Sequence, residues 1–525
     1  MKAKISRRNV LGMLAASAGA IASPGLTQTA PRFSIADPAI APGPFQGTLA
    51  SLRNYEVPEW FRNAKFGIWA HWGPQSALEA GDWYARNMYL QGSRQYDYHV
   101  QRFGHPSQFG YKDTIPEWKA EKFQPEELIS LYKKAGARYF MSMGVHHDNF
   151  DMWNSKHQRW NAAKMGPEKD IVGIWAKAAR SEGLKFGVSE HLWITYKWFS
   201  VAHGNDAHGP LAGVPYDGAT QAKDLYVDSD QVYPDFGGGD WNEDGIPVWW
   251  KQHWFDRMSD LISAYEPDLL SSDGALPFEE YGLNIVAHLY NTSAKRFNDR
   301  VEAVYLSKRK EDVLVGTGVL SRERGVLTDI SPRPWESETC IGDWHYKLGM
   351  KYKTPKQIID MMVDVVSRNG NFLLSFPLPA SGDLDREDRE ILDAITKWMQ
   401  VNSEAIHDTR PWKIAGEGPN SQTAADAEKR SNEETRKDLT TRDVRFTTKN
   451  NILYAFVMGS PQYEITVQSL ALNTPLLVGK IKDIELLGTG RKIAWEQDSK
   501  QLTIKVPRRN YSPIANVFVI RGAIV

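Results

Sequence analysis

From about residue 50 to about residue 400, apolar positions fall in two alternating patterns: stripes at helical spacing and short continuous runs. Pro125 opens a stripe of Leu128, Ile129, Leu131, Tyr132 and Ala135, and Gly136 closes it, the spacing and punctuation of an amphipathic helix. Residues 138–143 follow as a buried-strand run leading into His146 and His147. Ile171, Ile174, Trp175, Ala178 and Ala179 repeat the stripe, Gly183 stops it, and residues 185–188 form the next strand, ending at Glu190 and His191. A helix marked by Trp254, Met258, Leu261 and Ile262 leads through Pro267 into the run 268–273. Another, marked by Ile359, Met362, Val363 and Val366, leads to the run 371–374. Such alternation predicts an α/β fold with a parallel sheet covered by helices. Polar residues gather at the C-terminal ends of the strands, where a (β/α)8-type barrel carries its active site. A doubly wound open sheet is the alternative, but it wants a glycine-rich phosphate turn after the first strand. Residues 65–73, Lys-Phe-Gly-Ile-Trp-Ala-His-Trp-Gly, supply none.

Beyond a polar stretch at 416–440 the period changes. Runs at 445–447, 452–457, 463–467, 481–487, 501–506 and 516–520 are short, strand-like and split by turn residues, which predicts a C-terminal antiparallel β-sandwich. The expected organisation is an export signal over 1–22, a linker over 23–47 rich in Pro, Ala, Thr and Gly, a barrel over 48–405 and the sandwich over 406–525. The signal reading rests on Lys4, Arg7 and Arg8 ahead of an apolar or small stretch at 10–22, with Ala20-Ile21-Ala22 as a cleavage site. Ser6-Arg7-Arg8-Asn9-Val10-Leu11 resembles a twin-arginine signal. The stretch is too short for a stable anchor and no other approaches the roughly 20 apolar residues of a span. The expectation is an exported chain, periplasmic or secreted, without a membrane anchor.

Composition narrows the function classes. With 525 residues the chain exceeds what one hydrophobic core organises. A hydrophobic share of 42% and a charged share of 24% are those of a globular protein. The formal net charge of -1 offers no basic footprint for nucleic acid. Cys340 is the only cysteine, so no intrachain disulfide forms.

Six clusters carry candidate chemistry: His71-Trp72-Gly73, Asp82-Trp83-Tyr84, His146-His147-Asp148-Asn149-Phe150, Asp273-Gly274, Arg322-Glu323-Arg324-Gly325, and the run from Trp335 to Trp344. Glu190 and His191 close a further strand. Adjacent strand residues point to opposite faces, so His146 and His147 are poorly placed to share one ion; no metal and no other cofactor is expected. Rigid histidines supply donors and acceptors for sugar hydroxyls instead. Asp273 ends the apolar run Leu269-Leu270, and a carboxylate there is costly unless paired or functional. Glu336 and Glu338 lie among tryptophans, and burial raises a carboxylic acid's pKa as a general acid requires. Two carboxyl groups on separate strand ends are the minimum for glycoside hydrolysis. The arginines of the fifth cluster are plausible partners for a nearby carboxylate.

In order and local sequence these clusters resemble the α-L-fucosidases of glycoside hydrolase family 29. Phe66-Gly67 through His71-Trp72-Gly73 is similar to that family's first-strand signature, and Asp82-Trp83-Tyr84 stands where the family usually has Glu-Trp-Tyr. His146-His147-Asp148 matches its His-His-Asp-Gly, with Asn149 replacing Gly. Residues 267–273 match the strand that ends in the nucleophile, 369–374 the Asn-Gly-Asn-hydrophobic-Leu-Leu segment, and 406–412 the exit from barrel to sandwich. The resemblance implies a retaining α-L-fucosidase acting on fucosylated glycans, with Asp273 forming a covalent fucosyl intermediate. It implies that His71, Trp83, His146, His147 and Arg324 line the fucose pocket. Trp72, Asp82, Tyr84, Glu190, His191 and Trp335 complete the expected contacts. For the acid/base, Glu336 follows Trp335 as in some relatives, and Glu338 sits two before Cys340 as in others; the Thr339-Cys340-Ile341-Gly342 segment favours Glu338, with Glu190 third. The competing functions are another exo-glycosidase, α-galactosidase-like, on the same barrel, and a glycan-binding protein without catalysis.

Overall fold

A computed structural model describes residues 39–220, 223–229, 231–233, 242–420, 431–506 and 511–524. The expected export signal, and the linker up to residue 38, lie outside the described residues. Among the described residues no helix is long and apolar enough to cross a membrane.

Eight parallel strands close into a barrel in chain order: β1 (Phe66–Ala70), β2 (Tyr139–Val145), β3 (Lys185–Glu190), β4 (Leu269–Ser272), β5 (Val304–Ser307), β6 (Val319–Glu323), β7 (Trp335–Cys340) and β8 (Gly370–Ser375). Closure is direct, with Phe66 of β1 opposite Phe372 of β8. β1, β2, β4, β5, β7 and β8 are buried at every position. Strands covered on both faces read as continuous apolar runs rather than alternating ones, the pattern the sequence displays.

The outer helices start and stop where local chemistry dictates. Pro125 occupies the first turn of helix Pro125–Lys134, and Gly136 beyond it has φ +97°, a left-handed position that favours glycine. Helix Ile171–Ser181 is capped by Asp170, whose carboxylate accepts from Gly173 N. Helix Pro355–Val366 opens with a reciprocal Thr354–Gln357 capping box. The ring of helices has one gap: β6 and β7 are joined by residues 324–334 without a helix.

The C-terminal strands are β9 (Arg410–Glu417), β10 (Val444–Lys449), β11 (Ile452–Val457), β12 (Glu464–Val467), β13 (Asp483–Leu486), β14 (Arg491–Lys492), β15 (Trp495–Gln497), β16 (Leu502–Lys505) and β17 (Asn516–Arg521). They form an antiparallel six-stranded sheet, order β14-β13-β17-β11-β10-β9, and a three-stranded sheet, order β12-β16-β15. Phe446, Leu453 and Phe518 of the larger sheet share one core with Ile465, Val467, Leu502 and Ile504 of the smaller. Buried Asp364, on helix Pro355–Val366, ties this domain to the barrel. It accepts from Arg368 (2.5 Å), Arg436 (2.7 Å) and Arg445 of β10 (2.5 Å). Burial alone would raise its carboxyl; the three guanidinium groups hold it far below the usual range.

Candidate active site

A cavity of about 330 Å³ opens at the C-terminal end of the barrel strands. Its walls come from separate loops: Trp69, His71, Asp82, Trp83, His146, His147, His191, Asp273, Lys308, Glu323, Glu338, Trp344 and Ser431. His71, His146, His147, His191, Asp273, Lys308 and Glu323 sit at or just past a strand end, where the barrel stops pairing backbone and releases side chains toward the axis; Glu338 points in from β7, and Asp82 and Ser431 come from longer connections.

Asp273 follows β4 and is the centre of the charge arrangement. Lys308, one residue past β5, pairs with Asp273 Oδ1. His147 Nε2 faces Asp273 Oδ2 at 3.3 Å. His191 Nδ1 lies 3.1 Å from the same oxygen, off the line of a hydrogen bond. Burial pushes the Asp273 carboxyl up, but Lys308, then His191 and His147, bring it well below the ordinary carboxylate range. The group is therefore an anion at neutral pH. Its carbonyl accepts from Trp193 Nε1. Gly274 beside it has φ +138°, and a Cβ there would come within 2.6 Å of the Trp193 ring, so only glycine lets the indole close over the strand end.

Lys308 Nζ also lies 3.0 Å from Glu323 Oε2 and 2.7 Å from Glu338 Oε1. Burial lowers this ammonium, but the surrounding carboxylates, Asp273 first, raise it well above its usual value. Asp273, Glu323 and Glu338 each place an oxygen within 4.8 Å of the others. The two glutamates differ in access. The Glu338 side chain is 1% exposed and accepts from Ser321 Oγ, whereas that of Glu323 is 25% exposed and accepts from Trp344 Nε1 at 3.2 Å.

The opposite wall is histidine-rich. His147 Nδ1–H donates to the His191 carbonyl (2.5 Å). Gln75 Oε1 takes the Ala85 N–H, which turns its amide nitrogen toward His146 Nδ1 at 2.7 Å and leaves His146 protonated on Nε2. His71 Nδ1 contacts Ser375 Oγ (3.3 Å), with its ring against both Trp69 and Trp344. Burial, followed by neighbouring imidazoles, holds His71 and His146 well below the ordinary histidine range. Neutral rings of this kind each offer one donor and one acceptor. Asp82 Oδ1 accepts from His345 Nδ1 (2.6 Å).

Several expected contacts lie elsewhere. Trp72 is buried away from the cavity against Trp118 and Phe123, donating to the Pro379 carbonyl; it lies two residues past the end of β1, where these loop contacts place the ring. Glu190 is the last residue of β3, and strand alternation turns it to the helix side, where it accepts from Trp254 Nε1 and Leu192 N. Tyr84 bonds His99, and Trp335 at the start of β7 donates to the Arg368 carbonyl. Arg324 stacks 5.2 Å from the Trp344 ring and donates to Cys340 Sγ, backing the wall rather than lining it. Glu336 lies two residues, one barrel layer, below Glu338. It accepts from Tyr139 and is pushed up by burial to about 8. The carboxyl is kept out of the cavity. Asn149 is also outside the cavity: at φ +61°, it bridges Arg257 and the Leu225 carbonyl, which accounts for glycine or asparagine at this left-handed position.

The sequence argument that His146 and His147 diverge is overturned. Both lie past the end of β2, where strand alternation no longer applies, and both line the cavity with rings 4.5 Å apart. Among the described residues, His71/His146/His191, Asp82/His146/His345, His147/His191/Asp273 and Asp273/Glu323/Glu338 could each hold a metal ion. The hydrogen bonding favours sugar hydroxyls over a cation, since Nε2 of His146 carries the proton and Lys308 occupies the carboxylate group. Dialysis against a strong chelator is expected to leave activity unchanged; loss restored by one divalent ion would assign these histidines to a metal.

Sequence reasoning missed Trp69, Lys308 and Ser431, and placed Glu323 and Trp344 only within clusters. Lys308 has the signature that marked the others, a polar residue directly after an apolar strand run. Ser431 has no local signal.

The sequence model of the α-L-fucosidase family matches residues 33–404. The chain belongs to the α-L-fucosidase family. The model of the α-L-fucosidase C-terminal domain matches residues 436–521. Mouse tissue α-L-fucosidase is 27% identical over 482 residues, covering 88% of this chain and 90% of the mouse protein. Human tissue α-L-fucosidase is 26% identical over 469 residues, covering 87% of each chain. In fold, the crystal structure of Thermotoga maritima α-fucosidase in complex with fucose superposes with a TM-score of 0.68 at 24% identity, covering 91% of this chain and 100% of that one. The fucosidase barrel is thus followed by the fucosidase C-terminal sheets, and the chain is a glycoside hydrolase.

Proposed function

We propose that this enzyme is an exported, retaining α-L-fucosidase that releases terminal α-L-fucose from glycans through a covalent fucosyl-Asp273 intermediate. The carrying observation is the ionised Asp273 carboxylate, held by Lys308, His147 and His191, within 4.8 Å of further carboxyl groups on β6 and β7. Such closeness suits a nucleophile and acid/base pair in a retaining site, where about 5 Å separates the two; inverting sites leave roughly 6.5–9.5 Å for a water. The neutral histidines and Asp82 would fix the ring hydroxyls, and Trp69, Trp83 and Trp344 supply apolar wall for the sugar's faces and methyl group.

In the first step Asp273 attacks the anomeric carbon while a protonated carboxyl group gives its proton to the leaving oxygen. In the second that group, now a base, takes a proton from water, which displaces Asp273. Sequence reading prefers Glu338 for this role; the geometry supports Glu323. Glu338 is sealed behind Lys308, whereas Glu323 stands at the open side, where the rest of the glycan must leave. Glu338 then serves to hold Lys308 against Asp273.

A panel of aryl glycosides tests the function. The α-L-fucoside is expected to be cleaved at least about 100-fold better than the α-D-galactoside, whose ring has the mirror-image configuration and whose 6-hydroxyl would need a partner the apolar wall lacks. The first-formed sugar is expected to be the α-anomer by NMR. Equal use of galactoside would favour the α-galactosidase-like reading, and a β-anomer would exclude retention.

A further inference from the structure

The gap between β6 and β7 is filled by a distant part of the chain. Residues 431–433, which return from β9 toward β10, bring three donors to one acceptor: Ser431 Oγ (2.9 Å), Asn432 N (3.1 Å) and Glu433 N (3.0 Å) all bond the Arg324 carbonyl. Asn432, 1% exposed, adds a reciprocal pair with Val326, its Oδ1 accepting the N–H (3.0 Å) and its Nδ2 donating to the carbonyl (2.9 Å). Glu433 reaches β7, accepting from Thr339 Oγ1 (2.6 Å) and pairing with Lys353 (2.5 Å).

What this clip holds is the turn directly after Glu323. Arg324 has φ +46°, a left-handed conformation that a residue with a Cβ leaves unless its surroundings enforce it. From that turn its N–H donates to the Glu338 carbonyl (2.8 Å), and its guanidinium lies against Trp344. Trp344 in turn donates to Glu323 Oε1. Ser431 itself is exposed and lines the cavity beside Glu323. Residues 431–433 fall between the two ranges matched by the fucosidase family models, 33–404 and 436–521.

We propose that residues 431–433 form the leaving-group wall of the active site: Asn432 is a positioning residue that locks the Arg324 turn and so aims Glu323 at the leaving oxygen, and the Ser431 hydroxyl meets the sugar to which fucose is attached. Fucose, as a terminal residue, fills the closed end of the cavity, so its partner sugar must pass the open side that Ser431 borders. The proposal rests on Glu323 being the acid/base. A general acid acts only within hydrogen-bond reach of the atom it protonates, and a displacement near 1 Å reduces turnover up to about 100-fold.

The test measures kcat and KM of Glu323→Ala, Asn432→Ala and Ser431→Trp in the full chain, on nitrophenyl α-L-fucoside and on a fucosyl disaccharide. Nitrophenol leaves without a proton; a sugar does not. Because Glu323 also serves the second step, common to both substrates, the first step is read from kcat/KM: Asn432→Ala is expected to lower kcat/KM on the disaccharide about tenfold or more and on the nitrophenyl substrate less than about threefold. Equal losses on both substrates would reduce Asn432 to a structural residue and overturn the proposal. Ser431→Trp is expected to raise KM for the disaccharide at least about fivefold more than for the aryl substrate, because a bulky ring would occupy the partner sugar's path. If Asn432→Ala does not fold, this variant decides, and unchanged selectivity overturns the proposal. A Glu323→Ala enzyme with equal losses in kcat/KM on both substrates would instead remove the acid/base reading beneath it.

Discussion

Asp273→Asn folds normally and loses roughly 10⁴-fold or more in kcat, since an amide neither attacks the anomeric carbon as an anion nor forms the glycosyl ester. The fold survives because Lys308 keeps Glu323 and Glu338 as partners, so no buried charge is left uncompensated. Thermal unfolding and turnover of an aryl α-L-fucoside check the two halves separately; wild-type-like turnover in a folded variant would displace Asp273 from the nucleophile's role. The same carboxylate sets a pH expectation. Its folded pKa is depressed, so the reactive anion is present above that depressed value and is lost only as pH falls through it. The acid limb of kcat/KM in the wild type should therefore lie below the ordinary aspartate range of about 4. In Lys308→Met the largest charge holding it down is gone, and the limb should move to higher pH. An unmoved limb would mean that a different group controls it.

In kcat/KM, which reports the first step, Glu323→Ala loses about 10²- to 10⁴-fold on a fucosyl disaccharide, the scale on which general acids act, and far less on nitrophenyl fucoside. It also loses the basic limb of the pH–rate profile, which reports the protonated acid. Glu338→Ala slows both substrates alike, because it acts through Lys308 and Asp273 rather than on the leaving group. The reverse pattern, with leaving-group dependence in Glu338→Ala only, would return the acid to the residue that the sequence resemblance favours. Dependence in neither would place the acid outside β6 and β7.

The comparison of these two glutamates shows where local sequence stops being informative. Glu336, Glu338 and Glu323 are all carboxylates at or near strand ends, and the Thr339-Cys340-Ile341-Gly342 neighbours that favour Glu338 say nothing of access to the cavity. Depth along the barrel axis separates the three. Glu336 sits one layer below the cavity, bonded to Tyr139; Glu338 lies at its floor against Lys308; Glu323 stands at its open side. The pair His146 and His147 teaches the same lesson in reverse. Alternation argued that they diverge, but β2 ends at Val145, and one residue past the strand the rule no longer applies. Where the strand rule did hold, at Glu190, the last residue of β3, it placed the side chain on the outer face, a consequence that motif matching alone overlooked.

The barrel, the sheets that follow it and most of the cavity were legible from the chain, because each depends on short-range pattern. Helical stripes closed by Gly136 and Gly183, continuous apolar runs and polar residues at their ends specify strands that must be covered on both faces, and those ends define one rim. His71, Asp82, Trp83, His146, His147, His191 and Asp273 all reach it. Lys308, Glu323 and Ser431 took their place only when the barrel closed. A lysine just past β5 gains its role from carboxylates 35 residues before it and 15 and 30 after it, which only the ring of strands brings within about 3 Å. Ser431 reaches the cavity across a sequence separation of 107 residues from the Arg324 carbonyl it bonds. Local periodicity reports which face a residue presents, and it contains no information about which distant segment will fill the gap between β6 and β7. That choice belongs to tertiary packing, where a carbonyl left without a helix is satisfied by whichever part of the chain returns to meet it.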